Sequence, residues 1–239
     1  MAALTLLSTT RLTRAFGGLL AVDAVSFELR AGEIRAIIGP NGAGKTTFVS
    51  LICGRVDADD GEIIFDGDTI TGMPAYARVR LGIAYTFQIT SIFKNLTAFD
   101  NVMLAAQSGH ALASGAASAR ANESLGRVGL VERANARAGD LPYGHQRLLE
   151  VAMALALKPK LLILDEPTQG LSDAEIADFC SLIKVVSGEA TVLLIEHNMD
   201  VVMQLAHRIT VMNQGRILAE GTPPEISANA AVQQAYLGG

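Results

Sequence analysis

Gly39-Pro40-Asn41-Gly42-Ala43-Gly44-Lys45-Thr46 fits the G-x-x-x-x-G-K-[ST] spacing, and its flanks fit the context that spacing requires. Before it, Ile34 to Ile38 reads as a short buried strand; after it, Lys45 to Cys53 reads as a helix with Gly54 as its stop. The residue types follow from the chemistry. Glycines let the backbone curl so that several N–H groups face inward at phosphate oxygens, and the following helix adds its positive N-terminal end. Lys45 supplies a point charge for β- and γ-phosphates, and the Thr46 hydroxyl can ligate Mg²⁺. The stretch predicts a nucleotide-binding α/β protein.

Working outward, Val25 to Arg30 alternates like a half-buried strand, and Glu62 to Phe65 enters a tight turn at Asp66-Gly67. Ile83 to Phe87 is another apolar run. From about Ala98 to Ala138 few β-branched residues occur, and helices are expected there with ends that weak periodicity does not fix. Beyond Lys160, strands (Leu161–Leu164, Thr191–Ile195, 208–213, 216–220) alternate with helices starting at Asp173 and Met199. Such alternation implies crossover units on a mainly parallel sheet. Capping boxes are read at Ser172/Glu175 and Thr222/Glu225, the second with Pro223 at the first helical position.

Composition narrows the class. The 239 residues are 50% apolar and 18% charged, which excludes a disordered chain. The net charge of −5 argues against a nucleic-acid partner. No apolar run is long enough to cross a bilayer, no basic flank precedes the first apolar residues, and Cys53 and Cys180 are too far apart for a metal knuckle. A soluble globular protein of a reducing compartment is expected.

Leu161-Leu-Ile-Leu-Asp165-Glu166-Pro167 delivers two carboxylates at the C-terminal end of a buried strand, the edge where open α/β sheets bind ligands. Neighbouring strand residues face opposite ways, so the two need not share a task. Asp165 can hold Mg²⁺ through a water, and Glu166 can polarise a water for attack on the γ-phosphate. Val192-Leu-Leu-Ile-Glu196-His197 brings polar residues to the corresponding end of the next strand, where His197 can stabilise the γ-phosphate.

With these residues in place, the chain resembles the ATP-binding subunits of ABC transporters over nearly its whole length. The resemblance implies a phosphate-loop core with a mainly parallel sheet, an N-terminal antiparallel β portion and a small helical subdomain. The core takes residues 1–88 and 160–239, and the helical subdomain residues 89–159. It implies ATP and Mg²⁺ as cofactors, with Gly39, Pro40, Asn41, Gly42, Ala43, Gly44, Lys45, Thr46 and Thr47 around the phosphates and Phe16 stacked on adenine. Gln88, closing Tyr85-Thr-Phe-Gln, matches the glutamine that reaches Mg²⁺ and the attacking water, so Thr46, Gln88 and Asp165 form the metal set. Lys45, Gln88, Glu166 and His197 form the catalytic set. Gly170-Leu-Ser-Asp173 resembles the D-loop that crosses between subunits.

Leu141-Pro142-Tyr143-Gly144-His145 stands where the family carries the Leu-Ser-Gly-Gly-Gln signature that one subunit supplies to its neighbour's ATP. Ile92-Phe-Lys-Asn-Leu96 matches the stretch that receives a short helix of the transmembrane permease. A second ATP-binding subunit, identical or related, permeases and a periplasmic solute-binding protein are the implied partners. The implied location is peripheral, on the cytoplasmic face of the inner membrane. Phe16-Gly-Gly-Leu19, Thr86-Phe-Gln88, Tyr143-Gly144 and Glu196 to Met203 resemble the importers of branched-chain and related hydrophobic amino acids, as does the tail Ala235-Tyr-Leu-Gly238. The ATPase of the lipopolysaccharide exporter is the alternative, on the Ile92 to Thr97 stretch. A phosphate-transferring kinase would not need residues 141–147, a chromosome-type ATPase would need coiled coils that have no room here, and Glu166 with His197 argues against a binding module without hydrolysis.

Pro142 lacks both the serine hydroxyl and a backbone N–H, and one lost charge-assisted hydrogen bond costs ~1.5–3 kcal/mol. A weakened signature half-site is therefore expected, favouring assembly with a related but different subunit. Pro142→Ser should hydrolyse ATP faster than the parent when each is assembled with its membrane partners. An equal rate with unchanged nucleotide-driven dimerisation would discard the weakening.

Overall fold

A computed structural model describes residues 4–86, 91–109 and 113–237. Strands β1 (Thr5–Phe16), β2 (Leu19–Arg30) and β3 (Ile34–Ile38) precede helix α1 (Lys45–Ile52). Then come β4 (Asp60–Phe65), β5 (Asp68–Thr69), α2 (Ala75–Leu81), β6 (Ile83–Thr86), α3 (Ala98–Gly109), α4 (Ser114–Arg127), α5 (Tyr143–Ala156) and β7 (Leu161–Asp165). The chain closes with α6 (Asp173–Val186), β8 (Thr191–Ile195), α7 (Met199–Leu205), β9 (Arg208–Asn213), β10 (Arg216–Gly221), α8 (Pro223–Ser227) and α9 (Ala230–Leu237). Two compact units result, Met1–Arg78 with Thr191–Gly239, and Val79–Ala190.

In the first unit, β2, β1, β4 and β5 form an antiparallel sheet. β1 and the first half of β2 escape the sequence reading for a physical reason. Register shifts interrupt their pairing, and Arg11 and Ala24 sit in the left-handed region at φ 48° and 47°, so the two-residue apolar period is broken. In the same unit β3 pairs in parallel with both β8 and β9, and β10 adds an antiparallel edge to β9. Every residue of β3 and β8 is buried, which accounts for their unbroken apolar runs. α1 packs onto β2 with Phe48 edge-on to Phe27, ring centroids 5.5 Å apart.

Arg78 closes the far end of α1. Its side chain is buried and donates to the carbonyls of Leu51 (2.6 Å), Ile52 (2.7 Å), Thr71 (2.8 Å) and Met73 (2.8 Å). Carbonyls in a last helical turn lack intrahelical partners, and a guanidinium satisfies several at once. Burial lowers the Arg78 pKa, while Cys53 and Asp57 nearby raise it.

The second unit pairs β6 with β7 in parallel and packs α3, α4 and α5 against one another. α4 buries Ala117, Ala121, Ser124 and Leu125. That face is helical in spacing but nearly all small residues, which explains the weak periodicity in the sequence. α6 begins at the expected capping box, Ser172 with Glu175. Contacts put β6 and β7 with the helices because α5 packs on β6. The sequence cuts at 88/89 and 159/160 follow motifs instead.

Arg78→Met should lower the free energy of unfolding by roughly 2–3 kcal/mol, since it orphans buried carbonyls. Urea midpoints with an unchanged slope would register the loss; an unchanged midpoint would contradict the role given to Arg78.

Candidate functional site

The first unit shapes the phosphate loop between β3 and α1. Gly39 (φ 152°) lies so close to the chain at β9 that a Cβ would fall 2.1 Å from the Met212 carbonyl oxygen. At Gly44 (φ 98°), which caps α1, a Cβ would fall 2.3 Å from the Ala21 carbonyl oxygen. Only glycine fits either place. The loop is thus pressed into β2 and β9, and the Gly215 N–H donates to Ala43 at 3.0 Å. Lys45 is buried, and its Nζ donates to the carbonyls of Gly39 (2.7 Å) and Pro40 (3.0 Å). Asn41, Gly42 and Thr46 are exposed at the mouth of the loop, where the N-terminus of α1 opens. An anion arriving there meets backbone N–H groups and the helix dipole together.

Also in the first unit, Phe16 is 45% exposed, with the Arg14 guanidinium 4.8 Å from its ring centroid. The guanidinium thus lies over one face of the ring, while the residue as a whole stays part-exposed. His197 is exposed just past β8. The buried Glu196 beside it accepts the backbone N–H groups of His197 (2.9 Å) and Asn198 (3.0 Å), and Asn198 caps α7. This carboxylate holds the turn that presents His197.

In the second unit, Asp165 is buried at the end of β7, and its Oδ2 accepts the Tyr85 hydroxyl at 2.7 Å. This hydrogen bond fixes the orientation of the Asp165 carboxyl group at the end of the strand. Glu166 follows at φ 48°, a left-handed backbone conformation that costs a residue with a Cβ about 1–2 kcal/mol. That turn separates its direction from Asp165. The two adjacent acids therefore stand in different environments, through this turn and not through strand alternation, since β7 ends at Asp165. Gln88 lies outside the described residues.

The signature stretch starts α5. Pro142 occupies the N-cap with no side-chain cap, and its carbonyl accepts the Gln146 N–H at 3.0 Å. The Leu141 carbonyl accepts Gln146 Nε2 at 2.8 Å. Gly144 faces Glu175: a Cβ there would meet Glu175 Oε1 at 2.2 Å. A Cβ on Gly170 would meet the Tyr143 ring at 2.8 Å. Signature stretch and D-loop thus pack directly on each other, with exposed Asp173 at the capped start of α6. His145 Nδ1 is buried beneath them with no hydrogen-bond partner.

Sequence reasoning missed the residues that tie this stretch to the segment from Ile92 to Leu96. The Arg147 guanidinium lies 5.4 Å from the Tyr143 ring centroid and 3.2 Å from Glu150 Oε2, and both charged side chains are buried. Glu150 Oε1 accepts the Ser91 N–H at 2.5 Å. Burial raises the Glu150 pKa, outweighing Ser91 and Arg147, which lower it. One signal was available: an acid and a base three apart on an apolar helix. Ile92 to Leu96 then presents Phe93 at 57% exposure, while fully buried Asn101 exchanges hydrogen bonds with both the N–H and the carbonyl of Phe93. An exposed aromatic on an anchored loop is a preformed contact point.

Comparisons with known proteins agree with this geometry. A family model described as "ABC transporter" matches residues 22–169, and one described as "Branched-chain amino acid ATP-binding cassette transporter" matches residues 216–239. The chain is 41% identical to the high-affinity branched-chain amino acid transport ATP-binding protein BraF of Pseudomonas aeruginosa, covering 98% of each chain. It is 36% identical to the lipopolysaccharide export system ATP-binding protein LptB of Escherichia coli, covering 97% of each. A crystal structure of a nucleotide-free ATP-binding cassette from an ABC transporter superposes with a TM-score of 0.88 at 27% identity, over 98% of this chain and 99% of that one.

A raised folded-state pKa means that the folded protein holds the Glu150 proton more tightly than the unfolded chain does. That contribution to stability is present at low pH and declines as pH rises from the unfolded carboxyl value of about 4.3 through the folded one. Against Glu150→Gln, the parent should therefore lose relative stability as pH rises above the unfolded carboxyl value of about 4.3 in paired urea titrations. A parent-minus-variant difference that rises with pH would contradict the dominance of burial.

Proposed function

Because this chain belongs to the ABC transporter family, we propose that it is the ATP-hydrolysing subunit of an importer for branched-chain or related hydrophobic amino acids. The match of residues 216–239 to the branched-chain cassette model carries the importer reading, and the higher identity to BraF than to LptB supports it. Export of lipopolysaccharide is the reading it displaces.

ATP seats its phosphates in the loop from Gly39 to Thr47, with Lys45 on the β- and γ-phosphates and Phe16 against the base. Thr46, Asp165 (through a water) and Gln88 would hold Mg²⁺, which would offset phosphate charge. Glu166 takes a proton from a water whose oxygen attacks the γ-phosphorus. The bond from that phosphorus to the bridging oxygen breaks, and ADP leaves as the phosphate forms. His197 stabilises the charge on the γ-phosphoryl oxygens. The stretch from Leu141 to His145 completes the site of a second ATP-binding subunit, identical or related, with Asp173 crossing between them. Two subunits close over two nucleotides, and closure is passed to permeases docked at Ile92 to Leu96, with a periplasmic protein delivering solute.

None of the helices in the described residues is long and apolar enough to cross a membrane. In the proposed assembly the subunit is held at the cytoplasmic face of the membrane by its permeases.

In the assembled transporter, Glu166→Gln should bind ATP normally while turnover falls ~10²–10⁴-fold, the usual worth of a general base. Lys45→Ala should lose nucleotide affinity instead. Leucine uptake into vesicles holding the parent complex should require ATP, and brisk hydrolysis by Glu166→Gln would remove the assigned base.

A further inference from the structure

The second unit contains a cavity of about 220 Å³ walled by α4, the end of α5 and the residues following α6. None of its residues belongs to the nucleotide machinery. Arg120 and Arg127 stand two turns apart on α4 and both reach it, together with Lys158 and the buried Ser124. Two carboxylates, Glu123 and Glu189, also line it.

The hydrogen bonding is lopsided. Arg127 Nη1 donates to Glu189 Oε2 at 2.9 Å, so Glu189 is already engaged. Arg127 Nη2 and Arg120 Nη1 are each buried without a hydrogen-bond partner. Lys158 brings a third cation from a backbone at φ 49°, immediately before Pro159. Only Glu123, on the exposed side of α4, remains to offset the other two cations. Desolvated N–H groups of charged side chains are costly unless paired, and neighbouring cations repel. The groups that best answer two guanidinium donors and an ammonium are oxygen anions.

We propose that this cavity binds a small oxyanion, with the side chains of Arg120, Arg127 and Lys158 that line it donating to its oxygens. Two sources carry that chemistry: inorganic phosphate, which ATP hydrolysis releases, and the carboxylate of an amino acid. The donor set rests on the side chains alone; hydrolysis as the source of phosphate rests on the proposed function.

The test uses the full chain with its phosphate loop saturated by a non-hydrolysable ATP analogue and Mg²⁺, so that the γ-phosphate position is filled and added phosphate cannot occupy it. Inorganic phosphate and leucine are titrated separately by calorimetry, with phosphorus line broadening as a second readout for phosphate. Saturable binding of at least one, with Kd on the order of 1 mM, is expected. Arg120→Gln and Lys158→Gln should each weaken it about tenfold, as expected for one lost charged donor, with affinity for the analogue unchanged, and Arg120→Lys should restore part of it. Phosphate binding alone assigns the site to the inorganic ion, and leucine binding assigns it to a carboxylate. Failure of both ligands to saturate, or variants that bind as the parent does, would overturn the site. Failure of the parent to bind the analogue would instead count against the nucleotide reading.

Discussion

Everything in the first unit answers to the contact of two glycine α-carbons with backbone carbonyls of neighbouring strands. Gly39 against Met212 and Gly44 against Ala21 leave no room for a methyl group. The phosphate loop is therefore fixed by main chain pressing on main chain, not by side chains that could swing away. Lys45 adds to this from inside, its ammonium held by the Gly39 and Pro40 carbonyls. Preorganisation of this kind makes backbone N–H groups effective toward phosphate, because little reorganisation remains when the ligand arrives.

In the second unit a continuous series of contacts runs from Gly170 to Tyr143, then to Arg147, Glu150 and the Ser91 N–H next to Ile92. Buried charge makes this path stiff, since neither Arg147 nor Glu150 can leave its partner without stranding an ion away from water. Asn101 performs the matching service for Phe93. Under the proposed function, this path is the one by which closure around nucleotide would be felt by a permease docked at Ile92 to Leu96.

What was legible in the sequence was local. The β3–loop–α1 stretch, the acidic end of β7 and both capping boxes depend on residues within a few positions of one another, and they stand where the sequence put them. β1 was not legible, because its bulges erase the alternation that announces a strand. Nor was the bond from Tyr85 to Asp165, which spans 80 positions, or the burial of Arg78 under the end of α1. Such pairs are made by topology, and a single sequence gives no sign of which distant residues will meet. Pro142 is a middle case: its departure from the signature was plain, and the structure adds that the α5 N-terminus has no side-chain cap there.

The central claim is that each nucleotide site is finished by the signature stretch of a second ATP-binding subunit, identical or related. Mixing two inactive chains tests it most directly: Lys45→Ala, with a disabled phosphate loop, and Gly144→Asp, with a disabled signature stretch. Each alone has no complete site, whereas their mixed dimer unites an intact loop with an intact signature. The account predicts that ATPase activity appears on mixing and depends on the ratio of the two chains. A mixture no more active than the sum of its parts, with both chains folded and able to pair, would contradict it.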